Sequence, residues 1–412
     1  MINAQGKNLV FLLCVPRSGS SLATVMLQNH SKIFATQEMW FLMSLLDLKH
    51  NQHRPYGGMG IINQFFNGIV PDEVFQKAAR SFSLQVYNGL LQSSEAEIVV
   101  DKSPRYYYLL EFIDSLFPQS KRIWLIRNPL SILSSYKKVE SLTNSRFSIE
   151  NDLLNPQFNI KMTDLTVGFF RYYHYFSSNH PLAYRLQYEK LVSNPVEEMR
   201  KVCKFLEITY EEDLEKYGEK MHSSKSDLFY SMGVGDPFLA KHSEPHRDSI
   251  DSWKDILSKK EVEMYCQVLG ARIFHELGYS DVLEEAEKWT GVKFDAEPDM
   301  ELIRFRTEQL NDASGHKWEN QYEMKVHELH NQMFEEEITS KNDNYQLIQL
   351  QTTLSSLEIR LENSYIEQKR LRSKLEKHEE LRGKINRLKS IVPFGNRISS
   401  WASEYLVHRG RE

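Results

Sequence analysis

Through the first 280 residues, short apolar runs alternate with longer stretches in which apolar residues recur at helical spacing. Residues 9–15, 33–35, 97–100, 122–126 and 183–187 read as strands. Residues 22–30, 71–91, 106–117, 130–139, 163–178, 195–206 and 260–277 read as helices. Such alternation predicts an α/β domain over residues 1–285, three layers deep (α/β/α), with a central parallel sheet. The ligand crevice of such a sheet lies beyond the carboxyl ends of its strands.

The pattern changes further on. Residues 286–316 read as a connector, with Pro298 and Gly315 as breaks. Tyr322, Val326, Leu329 and Met333 then open a heptad frame that resumes at Leu347, Leu350, Leu354, Leu357 and Leu361, and again at Leu371 and Leu375. This predicts a coiled coil over residues 317–390 and a homo-oligomer formed through it. Glu336, Ser340, Asp343, Ser364, Gln368 and His378 interrupt the seam, so a hairpin or a single solvated helix stays open. Residues 391–412 mix Arg397 and Arg409 with Phe394, Trp401 and Leu406. That tail suits a membrane surface, a partner protein or packing on the coiled coil. Residues 49–70, 140–160 and 222–252 read as loops, either substrate loops or surface insertions.

Composition narrows the class. The 412 residues are 41% hydrophobic and 12% aromatic, enough for a large core. The net charge of −5 argues against nucleic acid as a partner. Cys14, Cys203 and Cys266 are scattered, without disulfide or metal spacing, which suits a reducing compartment. No His/Cys/Asp cluster has ligand spacing, so no metal is expected. No apolar run is long enough to span a bilayer, and no signal pattern opens the sequence. The expectation is a cytoplasmic protein, with peripheral contact at the inner membrane face open to its tail.

Candidate chemistry gathers at two strand ends. Pro16-Arg17-Ser18-Gly19-Ser20-Ser21 joins the first strand to the first helix. A tight loop there aims backbone N–H groups and a helix N-terminus at one spot, which makes an anion site. The Walker A spacing is missing, so magnesium–nucleoside triphosphate binding is not supported. Arg127-Asn128-Pro129 follows the fourth strand, and Ser135 lies eight residues beyond Arg127, about two helical turns along. Arg127 and Ser135 can face one crevice and hold a second phosphate.

These motifs resemble the sulfotransferases that use PAPS, 3′-phosphoadenosine 5′-phosphosulfate. Asp101-Lys102-Ser103-Pro104 and Tyr188-Glu189-Lys190-Leu191 fit two further segments of that family, and the likeness spans roughly residues 8–280. The resemblance implies a P-loop NTPase-like sulfotransferase fold. It implies that Arg17, Ser18, Gly19, Ser20 and Ser21 hold the 5′-phosphosulfate, that Arg127 and Ser135 hold the 3′-phosphate, and that Tyr188 touches the nucleotide. Arg17 and Lys102 would stabilise charge in the transfer. The His that serves as base in cytosolic members has no counterpart after Lys102. Glu38 stands where tyrosylprotein and several bacterial members carry a Glu base, and its neighbours Met39, Trp40 and Phe41 suggest a partly desolvated acid. His242 or His246 is an alternative base or a substrate contact, and Ser252 and Lys254 are further phosphate candidates. The implied reaction moves a sulfonyl group from PAPS to a hydroxyl of a glycan, lipid or small molecule, with a carbohydrate or glycolipid preferred. Its products are a sulfate ester and adenosine 3′,5′-bisphosphate. Two competing readings are a P-loop kinase with Asp101 as metal ligand and an inactive scaffold acting through the coiled coil.

Overall fold

The computed structural model describes residues 1–50, 59–92, 94–140, 147–217, 242–325, 361, 364–384, 386 and 387. Five strands, β1 (Leu9–Leu13), β2 (Ile33–Ala35), β3 (Ile98–Ser103), β4 (Lys121–Ile126) and β5 (Ala183–Gln187), form one sheet in the order β2-β3-β1-β4-β5. Every pairing is parallel. β1 takes the centre because its five residues are apolar and all are buried, as a strand covered on both faces requires.

The sheet separates two helical layers. Val10 and Leu12 of β1 pack with α1 (Ser20–Gln28) and the helix Pro195–Leu206. Phe11, on the opposite face, meets the rings of Tyr106 and Phe117, each at 6.2 Å. That second layer holds α2 (Phe41–His50), α3 (Met59–Gln64), α4 (Asp72–Gln92) and α5 (Leu110–Leu116). α6 (Pro129–Glu140) follows β4, with Pro129 in its first turn.

Several stretches differ from the sequence reading, among them α2, which was not expected, and α3, which lies in the stretch 49–70 read as a loop. The expected helix 260–277 is two helices, Lys259–Leu269 and Ala271–Glu276, parted by Gly270 at φ 74°. A Cβ there would lie 2.5 Å from the backbone of Glu297, so the break serves a close chain crossing. The expected helix 163–178 is interrupted by a wide π turn, Asp164–Gly168, before Phe169–Tyr175. The stretch read as a connector folds on the domain as the helices Ser280–Thr290 and Met300–Ser314, the second capped by the Asp299 side chain on Leu302 N at 3.0 Å. Leu302, Ile303 and Leu310 are buried.

Tyr322, the first position of the heptad frame, is likewise a core residue. It is 5% exposed and donates to Asp114 Oδ2 at 3.0 Å. Asp114 Oδ1 also receives Arg122 Nη2 at 2.9 Å and the Tyr175 hydroxyl at 2.5 Å. Most of the expected seam, from Val326 to Leu357, and the tail 391–412 lie outside the described residues. Residues 364–384 form a helix, and Leu361, Leu371 and Leu375 are exposed. Among the described residues no helix is long and apolar enough to cross a membrane.

β3 carries a titratable group on the α4 side. Asp101 Oδ2 accepts the hydroxyls of Tyr87 at 2.5 Å and Tyr106 at 3.0 Å, while Oδ1 finds no partner among the described residues. Burial pushes its carboxyl up to about 6 against these hydrogen bonds and the nearby Lys102 charge. The folded chain therefore holds this proton more tightly than the unfolded chain, so stability falls as pH rises from about 4 to about 6. Asp101→Asn removes that titration and keeps an acceptor for the tyrosines. The variant should gain stability relative to the parent as pH is raised through this window, as urea unfolding at stepped pH values would record.

Candidate active site

The loop after β1 turns back on itself because two residues take left-handed backbone conformations, Arg17 at φ 72° and Gly19 at φ 91°. Glycine is required at the second. A Cβ on Gly19 would sit 2.3 Å from the ring of Tyr188, in a conformation L residues rarely adopt. α1 begins at once with Ser20, so the loop delivers the helix N-terminus to the carboxyl end of the sheet. Ser18, Ser20 and Ser21 are buried, and Ser18 Oγ has no hydrogen-bond partner among the described residues.

The structure joins this loop to the second motif. Arg17 Nε donates to Ser135 Oγ at 3.1 Å. Arg127 Nη1 donates to the Arg17 carbonyl at 2.8 Å, and Nη2 to the Ser249 carbonyl at 2.9 Å. The Arg127 guanidinium lies 4.4 Å from the centroid of the Tyr188 ring, and the Tyr188 hydroxyl pairs with Ser249 Oγ at 2.7 Å. Arg127 is buried, forms no ion pair among the described residues, and leaves Nε without a partner there. Burial holds its pKa below the usual value, and the Arg17 charge adds to that effect. A cavity of about 130 Å³ opens here, bordered by Arg17, Arg127, Ser135, Lys138, Tyr188 and Ser252. Among the described residues no Asp or Glu borders it.

His242 and His246 also border this cavity, their rings 3.8 Å apart. Burial, then the charge of His242, keeps His246 below its ordinary pKa. Ser252 lies at the cavity as expected. Lys254 does not, because its ammonium pairs with Glu285 at 2.7 Å and Asp251 at 3.6 Å.

A second cluster forms at the ends of β2 and β3. Lys102 points opposite to Asp101 and is wholly buried, with Nζ 3.2 Å from Glu38 Oε1. The Trp40 indole donates to Glu38 Oε2 at 3.2 Å. Glu38 lies in the loop before α2, with its side chain 34% exposed. The side chain is thus partly buried, and its acid faces Lys102 where the chain turns at Trp40 (φ 56°). Asp101, the metal ligand of the kinase reading, faces the other side of the sheet with one oxygen taken by two tyrosines.

Sequence reasoning missed two supports. Asp164, at the start of the π turn, receives Arg105 through two nitrogens and the hydroxyls of Tyr107 and Tyr136 at 2.7 and 2.8 Å. Glu189 takes Asn128 N at 2.9 Å and the Tyr279 hydroxyl at 2.8 Å, which fixes the turn behind Arg127. Arg105 beside Pro104 was the one visible signal. The partners of Asp164 lie 28 to 59 residues away, beyond any local pattern.

Residues 10–212 match the family model described as “Sulfotransferase family”. Through this stretch the chain belongs to the sulfotransferase family. The sulfotransferase is 27% identical to the nodulation protein NoeE of Sinorhizobium fredii over 294 residues, 68% of this chain and 67% of that protein. It is 24% identical to protein-tyrosine sulfotransferase A of Caenorhabditis elegans, over 49% of this chain and 50% of that one. Among solved structures, the sulfotransferase domain of the Synechococcus olefin synthase matches with TM-score 0.42 and 21% identity, covering 62% of this chain and 92% of that one.

The contact between Gly19 and Tyr188 gives a direct test of the loop. Gly19→Ala should displace the Tyr188 ring or the loop and weaken binding of adenosine 3′,5′-bisphosphate by about tenfold or more, the scale of one or two charge-assisted hydrogen bonds. Calorimetric titration beside a thermal melt would separate this from general unfolding.

Proposed function

We propose that this sulfotransferase moves the sulfonyl group of PAPS to a hydroxyl of an acceptor, with a carbohydrate or glycolipid as the preferred class. The observation that carries the reading is the buried Arg127 guanidinium. Among the described residues its Nε lacks a partner and no carboxylate borders the cavity, and the Arg17 charge is close. A buried cation without an ion pair is costly, and an anion offsets that cost. A ligand with two separate phosphate groups suits the two motifs. Arg127 and Ser135 hold one group, while Ser18, the backbone of Gly19–Ser21 and the α1 N-terminus hold the other.

PAPS bound in this way supplies the sulfonyl group and a phosphate leaving group. Glu38 accepts the proton of the acceptor hydroxyl as its oxygen bonds to sulfur and the sulfur–oxygen bond to the 5′-phosphate breaks. Lys102 orients Glu38 through their 3.2 Å contact and, with Arg17, stabilises the charge that develops. The residues that bear this chemistry need no metal. The orientation of Asp101 removes the support for a magnesium-dependent kinase. Leu361, Leu371 and Leu375, exposed on the single chain, support self-association through the heptad helix.

Calorimetry with adenosine 3′,5′-bisphosphate tests the reading. Binding should persist in EDTA and weaken roughly 10- to 100-fold in Arg127→Ala, since hydrogen bonds to charged groups contribute about 1.5–3 kcal/mol. Binding of ATP only with magnesium would overturn it. Glu38→Gln should lower turnover by about 10²–10⁴-fold while nucleotide affinity stays close to that of the parent. Near-normal turnover would remove Glu38 as the base.

A further inference from the structure

We propose that Arg105, with Lys161 and the exposed indole of Trp40, forms the acceptor subsite, and that it selects a sugar ring bearing a carboxylate. The inference rests on the sulfotransferase reading and names its acceptor class.

Arg105 lies two residues past the end of β3, near Lys102 in sequence. Asp164 fixes its guanidinium through Nε at 3.0 and 3.2 Å and Nη2 at 2.9 Å. Asp164 is itself enclosed and locked by the hydroxyls of Tyr107 and Tyr136. The remaining nitrogen, Nη1, has no hydrogen-bond partner among the described residues, and the side chain is 24% exposed. This is a preset donor that faces outward, with its orientation already fixed. Lys161 lies within its field. Burial and the Arg105 charge hold the Lys161 ammonium below its usual pKa, and its Nζ sits 5.8 Å from the centroid of the Phe147 ring.

Trp40 links this cationic corner to the base. Its backbone is left-handed at φ 56°, a strained conformation for a bulky residue. Its indole N–H is tied to Glu38 at 3.2 Å, its ring centroid lies 6.0 Å from the Arg105 guanidinium, and the residue is 39% exposed. One aromatic face therefore spans the gap between Glu38 and Arg105. A pyranose laid on that face can present a hydroxyl to Glu38 and a carboxylate to Arg105 from the same ring.

The test compares 4-nitrophenyl β-D-glucuronide with 4-nitrophenyl β-D-glucoside, which differ by one carboxylate, as acceptors for the full chain with PAPS. The parent should favour the glucuronide in kcat/KM by about tenfold or more, the worth of a charge-assisted hydrogen bond. Lys161→Gln and Arg105→Lys should each cut that ratio several-fold, mainly through KM for the glucuronide. Lys161→Gln leaves the Asp164 contacts untouched, so it keeps the test meaningful if Arg105→Lys fails to fold. Binding of adenosine 3′,5′-bisphosphate is measured alongside. Nucleotide binding with equal use of both sugars, with neither used, or with an acidic tyrosine peptide used instead would overturn this inference alone. Absence of nucleotide binding would overturn the sulfotransferase reading and this inference with it.

Discussion

The arrangement around the crevice depends on one buried charge. Arg127 lies at the end of β4, where its two Nη groups hold the carbonyl of Arg17 on one side and that of Ser249 on the other. Segments more than a hundred residues apart in sequence therefore converge on a single guanidinium. Two backbone carbonyls do not neutralise a buried cation, and the Arg17 charge makes the spot more positive. An anion in the cavity would satisfy what the protein leaves open, and under the proposed function nucleotide binding would then be coupled to the seating of the Ser249 segment. Tyr188, just past β5, completes the arrangement, stacked under Arg127, pressed against Gly19 and bonded to Ser249.

The same economy of position governs β3. Because side chains alternate across a strand, Asp101 and Lys102 enter different layers although they are neighbours. Asp101 becomes an enclosed acceptor for two tyrosines, and Lys102 becomes the partner of Glu38. Arg105, just past the strand, reaches the Asp164 cluster. One short segment thus supplies the structural acid, the cation that orients Glu38 and the proposed acceptor contact.

Buried ionic clusters also hold the chain beyond residue 314 on the core. Asp114 gathers Arg122, Tyr175 and Tyr322, and the last of these draws the chain beyond the helix Met300–Ser314 onto the core. Partnered charges of this kind add little net stability, since their attraction is set against their desolvation. Tyr322 shows why heptad spacing alone misleads. An aromatic residue at a seam position can equally be a core contact of a globular domain, and its hydroxyl partner on Asp114 is what distinguishes the two.

The strands and their parallel order class were legible because apolar runs and helical spacing are properties of near neighbours. The bounds 33–35, 183–187 and 195–206 coincide with the observed elements. The Arg17 loop, Arg127 and Ser135 were legible for the same reason, since strand, turn and helix succeed one another within a few residues. Tertiary structure alone decided which charges meet. The Asp164 cluster, the Ser249 contacts, the exposure of Glu38 and the split at Gly270 each arise where the crossovers of a parallel sheet bring remote segments together. Backbone geometry is fixed by local sterics and propensity. Pairing and burial are fixed by which segments share the space at the strand ends, and no spacing along the chain records that.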